Sequence, residues 1–176
     1  MSHFRPLHKI FVLDAKLKGL IDETDPRGFA KRYFGALLQA IQMKPLAPMS
    51  VSPAADLDAP GFSGVQELTT SHTSFHYFWE PKVADPNPNV HIDLYSCAPF
   101  NFIDVLETAH KHFGLAEWTA NFVERSMDPQ ERLTLLVRGE GANILEQVVL
   151  TSGKKPATKT PRYTQRSRSE LLVTGK

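Results

Sequence analysis

A chain of 176 residues fits one domain with a single core. Its apolar fraction of 41% and charged fraction of 22% are those of an ordinary soluble protein, and one cysteine excludes an internal disulfide framework and fits a reducing compartment. No apolar run approaches the ~20 residues that a membrane helix needs, and the first residues lack the apolar stretch of a secretory signal, so no membrane partner is expected and cytoplasm is the expected location. The net charge of +1 conceals an asymmetry: residues 152–176 carry a net +6 and the remainder −5. This segment is polar, basic and broken by Pro156 and Pro161. It reads as a disordered tail behind a domain spanning 1–151. Tyr163 is the only aromatic in it, so nucleic-acid binding is not expected.

The elements follow in chain order. Residues 8–13 are an apolar-rich strand. Asp25-Pro26 predicts a helix N-cap followed by proline at the first helical position, and Phe29, Tyr33, Leu37 and Ile41 repeat every fourth residue on one face. Residues 44–60 contain Pro45, Pro48, Pro53 and Pro60 and predict an irregular connection. Residues 65–69 and 72–79 read as strands. In the second, His72, Ser74, His76 and Phe78 share one face and Thr73, Phe75, Tyr77 and Trp79 the other. After a proline-rich turn at 81–89, residues 90–97 form a third strand, with His91, Asp93, Tyr95 and Cys97 on one side. Phe102, Val105, Leu106, Ala109 and Phe113 mark a helix that Gly114 can end. Residues 118–124 and 132–137 read as further strands and 145–150 as a strand or a helix, with the strand favoured; Gly139-Glu140-Gly141 reads as a hairpin turn. The alternation β-α-β-β-β-α-β-β predicts an α+β two-layer sandwich, a mainly antiparallel sheet with helices on one face.

One stretch carries more than structure. It contains Ser63-Gly64-Val65, Ser71-His72, His76 five residues after Ser71, Glu80 four further on, and Ile92-Asp93-Leu94-Tyr95-Ser96-Cys97. Singly these are ordinary residues: a hydroxyl on a solvated strand, a surface imidazole, a buried thiol. Together, in this order, they resemble the bacterial S-adenosylmethionine decarboxylases, which convert an internal serine into a pyruvoyl cofactor. The resemblance covers roughly residues 7–125 and is specific between Ser63 and Cys97.

That resemblance implies a set of roles. Ser71 would be the pyruvoyl precursor, with chain cleavage at Thr70–Ser71. Ser63 and His76 would assist the cleavage, and Cys97 would return a proton to the decarboxylated carbon. The substrate amine would be held as a Schiff base. Glu80 would bind the ribose hydroxyls of S-adenosylmethionine. An aromatic is expected to stack on adenine, with Phe62 and Phe4 as candidates. Family members pair two protomers, so a homodimer is expected. Thr70 stands where the family carries glutamate, which leaves open a basic amino acid as substrate, or an unprocessed binding paralogue. His110 and His112, two apart on a helix, point in different directions, so no metal site is expected there.

Overall fold

The computed structural model describes residues 8–22, 24–54, 60–79, 88–126 and 132–151. Eight strands form one antiparallel sheet: β1 (His8–Leu17), β2 (Ser50–Ala54), β3 (Gly61–Leu68), β4 (Ser71–Phe78), β5 (Asn89–Ser96), β6 (Leu115–Arg125), β7 (Leu133–Glu140) and β8 (Asn143–Thr151). Their order across the sheet is β2-β3-β4-β5-β1-β6-β7-β8. Two helices, α1 (Pro26–Ala40) and α2 (Phe102–Phe113), pack on the same face and against each other. The α+β sandwich expected from the sequence is the observed architecture. No helix among the described residues is long and apolar enough to cross a membrane.

Local chemistry sets the helix limits. The Asp25 side chain accepts a hydrogen bond from the Gly28 N–H at 2.8 Å, satisfying one of the unpaired donors of the first turn. Asn101 caps α2 in the same way, accepting from the Ile103 N–H at 3.0 Å. Gly114 ends that helix at φ 67, a left-handed conformation that costs glycine little.

The irregular connection expected over 44–60 needs correction, because it contains β2. Pro53 lies within that strand, opposite Phe62. An edge strand pairs on one side only, so a proline without an N–H is accommodated there. Strand ends also differ from expectation. β1 runs on to Leu17, and the β7–β8 turn falls at Gly141 and Ala142, leaving Gly139 and Glu140 in β7. The tail at 152–176 lies outside the described residues.

Between helices and sheet sits a block of aromatic rings. Phe29, Tyr33 and Phe34 of α1 meet Phe62, Phe75 and Phe113, with centroid separations of 5.1 Å for Phe29–Phe113 and 5.6 Å for Tyr33–Phe75. Edge-on packing of this kind suits the ring quadrupoles. Gly64 makes room for it: a Cβ there would fall 2.5 Å from the Phe75 ring and 3.1 Å from Phe34. The Tyr33 hydroxyl is buried in this block with no hydrogen-bond partner, and burial pushes its phenol pKa well up.

Two substitutions should therefore behave oppositely in chemical denaturation. Gly64→Ala should lose about 1–3 kcal/mol through overpacking. Tyr33→Phe should lose nothing and gain up to ~1 kcal/mol, since it removes an unpaired hydroxyl without opening a cavity. A Gly64→Ala protein as stable as wild type would show that the Phe34–Phe75 contact yields freely.

Candidate active site

The β3–β4 hairpin closes through two residues, Thr69 and Thr70. Tight hairpins favour turns with positive φ, usually supplied by Gly or Asn, because their twist matches that of the strands. Neither threonine has positive φ. Among described non-glycine residues only Gln42, at 55°, and Ser71, at 155°, do. The mismatch thus falls on the residue just after the turn. A serine at that φ sits where glycine is the usual occupant, at a cost on the order of 1–3 kcal/mol.

Contacts on both sides hold the turn in place. The Thr69 N–H donates to the Lys44 carbonyl at 3.0 Å, and the Thr70 hydroxyl to the Met43 sulfur at 3.2 Å. From the opposite direction, the Cys97 N–H donates to the Thr70 carbonyl at 3.0 Å. Cys97 lies just past the end of β5, half-buried and unbonded to any other sulfur. A cleft of about 660 Å³ opens on the helix side of the turn, lined by Met43, Lys44, Thr70, Ala98, Phe100 and Asp104 among others.

The sheet face opposite the two described helices carries the other candidates. Ser63 and His76 are directly opposed across β3 and β4, and the Ser63 hydroxyl lies 2.7 Å from His76 Nδ1. His76 opposes His91 on β5, and His91 opposes Asp14 on β1. The polar row continues through Ser52 at one end and Thr119, Arg138 and Glu146 at the other. Within it, His91 Nδ1 lies 2.6 Å from an Asp14 carboxylate oxygen, both side chains about half exposed. Further along this face, His72 lies between Glu67 and Tyr95 across the sheet. Its ring is 5.8 Å from that of Tyr95, and its Nδ1 is 3.4 Å from the Ser71 hydroxyl. His8 stacks on Tyr95 and hydrogen-bonds its hydroxyl.

The sequence candidates therefore form two groups. The Cys97 N–H reaches the carbonyl of Thr70, the residue before Ser71, and Ser63 and His76 meet on the sheet. Ser71 and His76 do not meet: five residues of strand separate them by roughly 16 Å. Phe62 is 1% exposed, its ring enclosed by Phe29, Phe75 and Tyr77. This corrects its candidacy as a stacking surface, since even numbering on β3 points a side chain into the core. Glu80 and Phe4 lie outside the described residues. No cluster of three His, Cys, Asp or Glu among the described residues could hold a metal ion. Sequence reasoning placed His91 and Tyr95 on one side of their strand but gave them no role. It missed Asp14 by ending the first strand at residue 13.

Residues 23–126 match S-adenosylmethionine decarboxylase, a family of carboxy-lyases. The chain belongs to this family. The matched span runs from just before α1 to the end of β6 and contains Ser63, Ser71, His76 and Cys97. Comparison with curated proteins gives no match. The protein is thus an S-adenosylmethionine decarboxylase-like enzyme by family.

A carboxylate can only accept, so His91 Nδ1 must carry the proton it donates to Asp14. Ring ¹⁵N shifts of His91 should report a protonated Nδ1 in wild type. Asp14→Asn should lose that fixed tautomer. An Nδ1 without a proton in the wild type would mean the two side chains do not bond in solution.

Proposed function

We propose that the protein cleaves itself between Thr70 and Ser71 and then decarboxylates S-adenosylmethionine. The observation that carries this reading is the hydrogen bond from the Cys97 N–H to the Thr70 carbonyl. Attack of the Ser71 hydroxyl on that carbonyl carbon would turn the amide into an ester and place negative charge on the carbonyl oxygen. An N–H already aimed at that oxygen stabilises the charge without reorganising. The uncommon Ser71 backbone favours the same step, since breaking the Thr70–Ser71 amide releases the constraint. Loss of the Ser71 α-proton then eliminates the ester and cuts the chain, leaving dehydroalanine, which hydrolyses to pyruvoyl and ammonia.

The pyruvoyl group, formed from Ser71, supplies the electron sink for decarboxylation. Around it the chain's own groups take defined roles. Cys97 adjoins the turn and is the proposed donor of a proton to the carbon that has lost carbon dioxide. Ser63 holds the His76 ring through Nδ1, leaving Nε2 free to take a proton. Glu80 is proposed to accept the ribose hydroxyls. The product would serve as the aminopropyl donor for spermidine, in the cytoplasm.

Because roughly 16 Å of strand separates Ser71 from His76, the working unit proposed is a homodimer. His76 of the partner subunit would serve Ser71 across the interface. Ile10, Val12, Leu136 and Val148 lie half-buried on the sheet face opposite the two described helices, which suits packing against a second copy.

The purified chain should resolve into residues 1–70 and a blocked chain beginning at 71, and should release carbon dioxide from S-adenosylmethionine. A single uncut chain after long incubation would sink the proposal in favour of an unprocessed paralogue. Turnover of arginine or ornithine alone would change the substrate. Ser71→Ala and His76→Ala protomers, each inactive in isolation, test the shared site when mixed. The His76→Ala chain should then be cut, because its Ser71 meets an intact His76 from the other subunit. No cutting in verified mixed dimers would place both groups in one chain's site.

Cys97→Ala should still cleave, since the donor to Thr70 is a backbone N–H, yet lose about 10²–10⁴-fold in decarboxylation. Full turnover in that variant would leave the thiol a packing role.

A further inference from the structure

The first step of cleavage needs a base that the reading above does not supply. The Ser71 hydroxyl must lose a proton as it attacks the Thr70 carbonyl carbon, and the Ser71 nitrogen must gain one as it leaves. His76 of the same chain is five residues, roughly 16 Å, further along the strand. The group beside the hydroxyl is a different imidazole, with His72 Nδ1 3.4 Å from Ser71 Oγ.

We propose that His72 is the catalytic base of the first step, converting the Thr70–Ser71 amide into an ester within a single chain. This inference rests on the self-cleavage reading above. The proton balance closes on one ring. His72 Nδ1 takes the Oγ proton as the bond from Oγ to the Thr70 carbonyl carbon forms. The carbonyl oxygen, now negative, accepts from the Cys97 N–H. Collapse of this species breaks the carbon–nitrogen bond, and His72 passes the same proton to the departing Ser71 nitrogen. The products are an ester on Ser71 Oγ, a free Ser71 amine and a His72 ring in its starting state.

The surroundings suit that task. A gap of 3.4 Å is long for a hydrogen bond, but catalytic contacts are commonly loose before the reacting geometry is reached. The ring has a neighbour on each side. Glu67 opposes it on β3 and Tyr95 on β5, and Tyr95 is itself anchored by the His8 ring. Glu67 offers a carboxylate on the same exposed row, where a transient imidazolium would be favoured. Cleavage thus divides between two histidines. His72 makes the ester from within its own chain, and His76 removes the α-proton that eliminates it.

The test reads ester formation rather than decarboxylation. Full-length His76→Ala should stall as the ester, which hydroxylamine cuts into two pieces. The double variant His72→Ala/His76→Ala should form that ester about 10²–10⁴-fold more slowly. Added imidazole should restore much of the rate, whereas Ser71→Ala should show no scission with or without it. His72→Gln/His76→Ala provides a second variant of similar shape that cannot relay a proton, and circular dichroism checks that each chain is folded. Ester formation in the folded double variants at the His76→Ala rate would overturn the assignment, leaving self-cleavage intact. A slow, folded double variant that imidazole cannot rescue would also overturn it, reducing His72 to a positioning role. A wild-type chain that never cuts would overturn the self-cleavage reading and this inference with it.

Discussion

Everything proposed for this protein depends on a two-residue turn held rigid from both sides. The Thr69–Thr70 turn joins two strands without the positive-φ residues that tight hairpins favour, and Ser71 absorbs the misfit. Left unsupported, such a turn would relax by fraying the ends of β3 and β4. Here Lys44 and Met43 hold it from the helix side, and the Cys97 N–H holds the Thr70 carbonyl from the end of β5. These anchors come from segments distant in sequence, so the distorted backbone exists only once the sheet has assembled. A folded scaffold can maintain a local conformation that the isolated segment would abandon.

The aromatic block supplies that scaffold. β4 and β5 carry Phe75, Tyr77, Ile92 and Leu94, all fully buried, and these fix the register that sets Cys97 against Thr70. Gly64 belongs to the same construction. In the sequence it is the middle of a Ser-Gly-Val motif flanking a candidate catalytic serine, but in space it is the gap into which Phe75 and Phe34 fit. One short motif therefore serves two faces of the sheet. Ser63 faces outward toward His76, and Gly64 faces inward toward the rings.

Much of this was legible in the sequence because period-2 and period-3.6 patterns are strong where one face is buried. Asp25-Pro26 and Gly114 bound the helices through local capping, which needs no tertiary information. β2 was not legible. Its signal is weakened by Pro53, and only its position at the sheet edge makes that residue acceptable. Phe62 illustrates the converse limit: an aromatic near a motif looks like a ligand platform until the register of β3 turns it inward. Asp14 became visible only when pairing placed it opposite His91, since the partner lies 77 residues away. Cross-strand register is a tertiary property, and the sequence holds no local trace of it.

The spacing of Ser71 and His76 carries a constraint that composition and motif order do not. Residues five apart on a strand are separated by roughly 16 Å of extended backbone. No rotamer of a histidine spans that distance along a strand. If both groups act on one peptide bond, one of them must come from another chain. The proposed first proton transfer would fall to a group within the chain, and among the described residues the His72 imidazole adjoins the Ser71 hydroxyl. A strand thus separates two tasks that a compact loop could merge. In the mechanism proposed, the step needing only local rearrangement proceeds in one chain, while the elimination that cuts it would await a second copy. Cleavage linked to pairing in this way would leave an unpaired chain whole, with its termini still joined through the turn that orders the site.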